Sequence, residues 1–308
     1  MTTWNMANPC LYIIGNGLDR FHDHPTSYSN FGNYIKAHDK EFYDNLSNWY
    51  PTFIDNQHKG VFSLWTDFEN GLKEIDQDLL WQYINDNLVQ YGAEDWKDED
   101  NHRVQYVIQN LVDSLTNKLK QHLVNWICLV NVLATSKRLR LEADAIYFTF
   151  NYTKTLESYY KIPPKQVIHI HGTTDYPDSI ITGHNMKIMQ PVNDFDDIRL
   201  YECEKIIRND YFQKTLKPVD SLIHKNMMFF NSLHYISEIN IIGHSINDID
   251  LPYYKVITQK IKKDAKWSIY FKDKESMSKQ YSVRKETLIN LGVNDSCIIP
   301  FLMQDIEL

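Results

Sequence analysis

Residues 143–172 constrain the fold more than any other stretch of this chain. Ala-Asp-Ala-Ile-Tyr-Phe-Thr-Phe-Asn-Tyr-Thr (143–153) is followed, after a segment with helical potential, by Val-Ile-His-Ile-His-Gly (167–172). The apolar runs 145–150 and 167–170 end on Asn151 and on His171-Gly172. Each has the length of a short buried strand and is bounded by polar residues. Two such runs joined by a helical segment outline a βαβ unit with parallel strands. That places Asn151 and His171 beside each other at the carboxyl edge of a parallel sheet, where α/β proteins bind ligands.

The same pattern recurs along the chain. The run 11–14 enters Gly15-Asn16-Gly17-Leu18-Asp19. A strand followed by Gly-x-Gly lets backbone amides approach a phosphate closely. The third glycine of a dinucleotide fingerprint is absent, since Phe21 and His22 follow. A helix is expected from residues 26–28 towards His38, with a hydroxyl as N-cap. The run 180–182 ends on Gly183-His184-Asn185, and 239–242 ends on Gly243-His244-Ser245. Residues 196–235 read as helix with breaks, one at Pro218. Helix 252–262, strand 267–271, helix 274–291 and strand 297–301 close the chain. Between them, residues 39–141 place apolar side chains at helical spacing, as in Leu64, Phe68, Leu72 and Ile75, or Val104, Ile108, Leu111 and Leu115. The expected fold class is therefore α/β: a doubly wound, Rossmann-like parallel sheet over 9–38 and 142–308, with a large helical insertion or cap over 39–141. Five expected strand ends would then face one crevice: Gly15-Asn16-Gly17, Asn151, His171-Gly172, Gly183-His184 and Gly243-His244-Ser245.

Composition removes several classes of function. A formal charge of −8 argues against constitutive nucleic-acid binding, and the basic runs 137–140 and 260–266 are short enough to be solvated helix ends. The start of the chain carries no basic, then apolar, signal, and no window is apolar for long enough to span a bilayer. Cys10, Cys128, Cys203 and Cys297 form no Cys-x-x-Cys pair, so reduced thiols and a cytoplasmic location are expected, with no structural zinc. Gly243-His244-Ser245 fails as a nucleophile elbow because Asn247 stands where glycine is required and no histidine follows His244. A metal-dependent nuclease would have to gather Asp19, Glu69, Asp248 and Asp250, whose spacing forms no ligand motif.

A set of motifs then becomes familiar: Ile-Ile-Gly-Asn-Gly-Leu-Asp (13–19) with Pro-Thr-Ser-Tyr (25–28), Trp-x-Asp-Phe-Glu (65–69), Phe-Asn-Tyr-Thr (150–153), His-Ile-His-Gly (169–172) and Ile-Gly-His-Ser-Ile-Asn-Asp-Ile-Asp (242–250). In order and spacing these resemble the AbiH family of bacterial abortive-infection proteins, over residues 11–254. More remotely, the glycine turn, the Asn after a strand and the His-Gly after the next resemble sirtuin-type NAD-binding domains, whose relatives in phage defence hydrolyse NAD. The sirtuin pattern has an acid two positions after its Asn, where this chain has Thr153, and its zinc ribbon has no counterpart here.

The resemblance implies an antiphage effector that hydrolyses NAD to nicotinamide and ADP-ribose. It assigns catalysis to Asn151 and His171, with Glu69 supplying the acid missing at Thr153 if the helical cap folds over the crevice. Gly15, Asn16, Gly17, Asp19, Gly172, Gly243, Ser245 and Asp248 would hold NAD, which is substrate rather than resident cofactor, and no metal is expected. A phage-derived trigger and self-association through the insertion are the implied partners. Two readings stay open beside it: a non-catalytic sensor of NAD or an ADP-ribose-like nucleotide, and the metal-dependent nuclease.

Overall fold

Every strand of the principal sheet in the computed structural model runs the same way. The structure describes residues 10–55, 60–94, 96–186 and 195–308. The strands are β1 (Cys10–Ile14), β2 (Ile146–Thr149), β3 (Val167–His169), β4 (Glu238–Ile242), β5 (Lys266–Phe271) and β6 (Ile298–Leu302). Their spatial order is β3-β2-β1-β4-β5-β6, with all five pairings parallel. This is the doubly wound order, in which the chain works outward to one side of β1 and then returns to build the other. The expected α/β class holds, and the reversal falls between β1 and β4. The register aligns the carboxyl ends: Ile14 pairs with Thr149 and Ile242, and Thr149 pairs with His169.

The continuous apolar runs of β1 and β2 follow from being covered on both faces. Leu11, Ile13, Ile146 and Phe148 point to a core shared with Phe229, Phe230, Tyr253 and Ile257 of the helices Met227–Ser232 and Leu251–Lys260. Tyr12, Ile14 and Tyr147 point the other way, against Leu156, Tyr160 and Met303. Each such side chain contributes about 1.5–3 kcal/mol by leaving water. β6 is an edge strand, and it therefore tolerates Pro300 opposite Ile269.

The chain divides into two units, the first comprising 1–27, 127–181 and 218–308 and the second 28–126 and 182–217. The first holds the sheet. The second is mainly helical, with Tyr28–His38, Lys40–Trp49, Gln77–Asp86, Asp100–Asp113 and Ile198–Ile206 as its longer helices, and it also carries a ribbon of Phe53–Asp55 with Gly60–Phe62. Asp39, Asp67 and Asp76 each cap the start of a helix by accepting a backbone N–H. Phe31 anchors its core, with the rings of Trp65, Phe68 and Trp126 around it.

One expectation needs correction. Residues 180–182 are not a strand, and Gly183-His184 does not lie on the sheet. It belongs to the second unit, where His184 bridges Leu216 and its ring is held between the Met186 N–H and the Thr215 hydroxyl. An apolar run of three residues is too short to separate a strand from a packed loop.

Candidate functional site

The turn after β1 and the loop after β4 touch backbone to backbone. A Cβ on Gly17 would lie 2.4 Å from the Gly243 Cα, and one on Gly243, whose φ is +67°, would lie 2.3 Å from the Leu18 nitrogen. Gly15 donates to the Ile242 carbonyl (3.0 Å), Gly17 to the Gly243 carbonyl (2.8 Å) and Leu18 to the Gly15 carbonyl (3.0 Å). The glycines thus join two strand ends at the point where the sheet order reverses, and three of the turn's amide donors are already engaged, two by β4 and its loop and one inside the turn. Asn16 is exposed, yet its side chain is pinned: Nδ2 donates to the Thr26 carbonyl and Oδ1 accepts the Thr26 hydroxyl.

Asn151 and His171 follow neighbouring strands. Asn151 is 7% exposed. Its N–H donates to the Thr149 hydroxyl and its carbonyl accepts from His169 Nδ1 at 2.8 Å. Among the described residues, nothing hydrogen-bonds its side-chain amide. A buried amide with its backbone fixed and its head uncommitted is equipped to bind something else. His169 Nδ1 carries a proton because it faces a carbonyl, while its Nε2 lies 2.9 Å from Glu157 Oε1. Gly172, at φ +87°, lets the chain pass Ser179, whose carbonyl oxygen would lie 2.1 Å from an added Cβ.

Behind Asn151, the carboxylate of Asp19 accepts the Thr153 and Thr155 hydroxyls, each at 2.5 Å. Burial pushes the Asp19 carboxyl up from its ordinary value, against the two hydroxyls and the nearby His24 and His169. The side chain expected to face a ribose is thus enclosed and holds Thr153, the residue at the position where the sirtuin pattern has its acid.

His171 is 2% exposed, and its Nε2 lies 3.2 Å from the Tyr253 hydroxyl and 3.9 Å from Asp250 Oδ1. Asp250 Oδ2 is 3.2 Å from His244 Nε2. Two imidazoles therefore flank one carboxylate at the carboxyl ends of β3 and β4. Ser245 and Asp248 on the same loop are exposed. Sequence reading weighed Asp250 only as a metal ligand and gave His244 no role. The signal was a histidine next to a glycine at each strand end, as His171-Gly172 after β3 and Gly243-His244 after β4.

Glu69 lies in the second unit, on the helix Phe68–Gly71, with Oε1 2.6 Å from the Lys217 ammonium. Asp19, Glu69, Asp248 and Asp250 have separate surroundings, and among the described residues no group of three or more His, Cys, Asp or Glu side chains is arranged to hold a metal ion.

A family model described as bacteriophage abortive infection AbiH matches residues 11–271, which takes in every residue named above as part of the candidate site. No curated protein and no solved structure matches the chain.

Proposed function

This chain belongs to the AbiH family of bacteriophage abortive-infection proteins, and we propose that it serves that defence by hydrolysing NAD to nicotinamide and ADP-ribose. The observation that carries the reading is the placement of Asn151, with its uncommitted amide, and His171, each two residues beyond the paired ends Thr149 and His169 of adjacent parallel strands, beside the reversal point of a doubly wound sheet. That is where such sheets bind nucleotides.

In the reaction, water attacks the anomeric carbon of the nicotinamide ribose as the bond to nicotinamide breaks. The bonding pair leaves with nicotinamide and neutralises its ring, and the proton of the water passes to His171. Asn151 orients the ribose and the water by hydrogen bonds, so that a bimolecular encounter becomes a positioned one. His171 acts as general base. Gly15, Asn16 and Gly17 border the pyrophosphate, with Gly172, Gly243, Ser245 and Asp248 around the crevice. Asp19 acts from behind, through Thr153. Glu69, which the resemblance offered as a further acid, is paired with Lys217 in its own unit, and Glu69→Gln reports whether turnover depends on it.

The test is incubation of purified protein with NAD, with and without lysate from phage-infected cells as trigger, and chromatography of nicotinamide and ADP-ribose. Asn151→Ala and His171→Ala are each expected to reduce turnover by about a hundredfold or more, and to abolish protection in a phage challenge. Turnover that survives either substitution overturns the assignment. Tight binding of ADP-ribose with no turnover under either condition identifies a sensor instead, and chelator-sensitive cutting of nucleic acid identifies a nuclease.

A further inference from the structure

The loop after β4 is organised around buried polar groups that the proposed reaction leaves unused. His244 Nδ1 accepts the Ile246 backbone N–H at 3.0 Å, so that nitrogen carries no proton, and the Tyr254 hydroxyl, 2.9 Å away, donates to it as well. The ring proton is therefore on Nε2, where it is donated to Asp250 Oδ2. Asp250 is 4% exposed and its backbone N–H is tied to the Asn247 side chain. To make this arrangement, Ile246 adopts φ +57°, a left-handed conformation that a β-branched residue takes only under constraint. Strain of that kind is retained where the geometry it secures is needed.

From this we propose that Asp250 is the positioning residue of His171, and that His244 holds Asp250 ionised and aimed at it. The proposal rests on the NAD-hydrolysis reading for the reaction, but not for the geometry. When His171 takes a proton from water, its ring carries N–H at both nitrogens, and the Nε2 side faces Asp250 and Tyr253. The carboxylate stabilises that charge and remains a carboxylate throughout, so no second proton moves. His244 lies across Asp250 from His171, with Phe150 packed against both imidazoles. Tyr253 and Tyr254 come from the helix Leu251–Lys260, Arg284 acts on Tyr254 from the helix Lys274–Asn290, and the His169–Glu157 pair flanks Asn151 on the other side. Asp250 is the carboxylate that sits against Nε2 of His171. The exposed members of the 242–250 motif, Ser245 and Asp248, then border the ligand, while its buried members His244 and Asp250 back the base.

Two measurements on the full chain test this, with circular dichroism confirming the fold. The first is an NMR pH titration of the His171 ring, assigned by its loss in His171→Ala. Asp250→Asn is expected to move the His171 midpoint down by about one pH unit, because a neighbouring anion favours the charged ring. Asp250→Glu, which keeps the charge, is expected to stay close to wild type, and His244→Gln to shift in the same direction as Asp250→Asn but less. The second is the pH profile of NAD turnover. The acid limb of kcat is expected to move down with the titration, with plateau kcat lowered about tenfold and KM changed by less than about twofold.

An unchanged His171 midpoint in Asp250→Asn overturns the proposal, as does a fall in activity with an unmoved acid limb. If wild type cleaves no NAD, the functional reading fails while the NMR titration still decides the relation between Asp250 and His171. If Asp250→Asn does not fold, the His244→Gln titration decides it, and an unmoved midpoint there overturns the proposal.

Discussion

Asp19 and Asn151 are both buried polar residues, but their side chains are engaged very differently. Asp19 is an enclosed carboxylate with both oxygens engaged by threonine hydroxyls. Removing it leaves two buried hydroxyls without their acceptor, so Asp19→Ala is expected to cost about 2–4 kcal/mol in urea unfolding. Asp19→Asn keeps one acceptor oxygen and is expected to lose less. Equal losses in the two variants would mean that the hydroxyl bonds carry no weight. Asn151 is the opposite case. Its amide makes no hydrogen bond among the described residues, so Asn151→Ala is expected to change stability by less than about 1 kcal/mol while removing turnover. Loss of both together would make Asn151 a structural residue that caps its turn.

At the scale of elements, the glycine turn and the loop it meets have one shared tolerance. Gly17→Ala and Gly243→Ala each drive a Cβ into backbone of the other segment, and at Gly243 the φ of +67° adds a conformational penalty. Each is expected to destabilise by about 2–4 kcal/mol. Gly292, also at positive φ but with open space around its missing Cβ, isolates the conformational part, and Gly292→Ala is expected to cost about 1 kcal/mol. Midpoints of denaturant unfolding rank the three, and a Gly292→Ala as damaging as Gly243→Ala would remove the role of close approach. These elements also show what was legible in the sequence. β1, β2 and β4 were readable because burial on both faces writes itself as an uninterrupted apolar run; Asn151 followed from where the β2 run stops, and His171 from the end of the shorter run of β3. The turn at Gly15-Asn16-Gly17 was readable only as close approach. A glycine that admits a phosphate and one that admits another backbone leave the same mark. His244 and Asp250 were not legible as a pair, because their meeting depends on a left-handed Ile246 that no propensity favours.

Across the whole molecule, both units bury histidines that burial keeps neutral, so stability is expected to depend on acidity in a predictable direction. His22, in the unit that holds the sheet, is pushed down to about 4 by burial and then by His24. His184, in the helical unit, is pushed down to about 4 by burial and then by Lys73. An unfolded chain takes up these protons from about pH 6.5 downward, whereas the folded one resists until about pH 4. Their contribution is therefore fully present above about pH 6.5 and is lost as the pH falls towards 4, by at most about 3 kcal/mol for each ring. Asp19, raised by burial, works in the opposite sense, since its folded form takes up a proton before the unfolded one does. The histidines outnumber it, and the net expectation is a Tm that drops between about pH 7 and about pH 5. His184→Gln should lower Tm at neutral pH, because the ring bonds both Thr215 and the Met186 N–H, yet flatten the dependence on pH by removing one titrating group. Melting curves of wild type and this variant across that range decide the matter: an unaltered slope would mean that His184 carries a proton inside the fold, and that burial does not govern its charge.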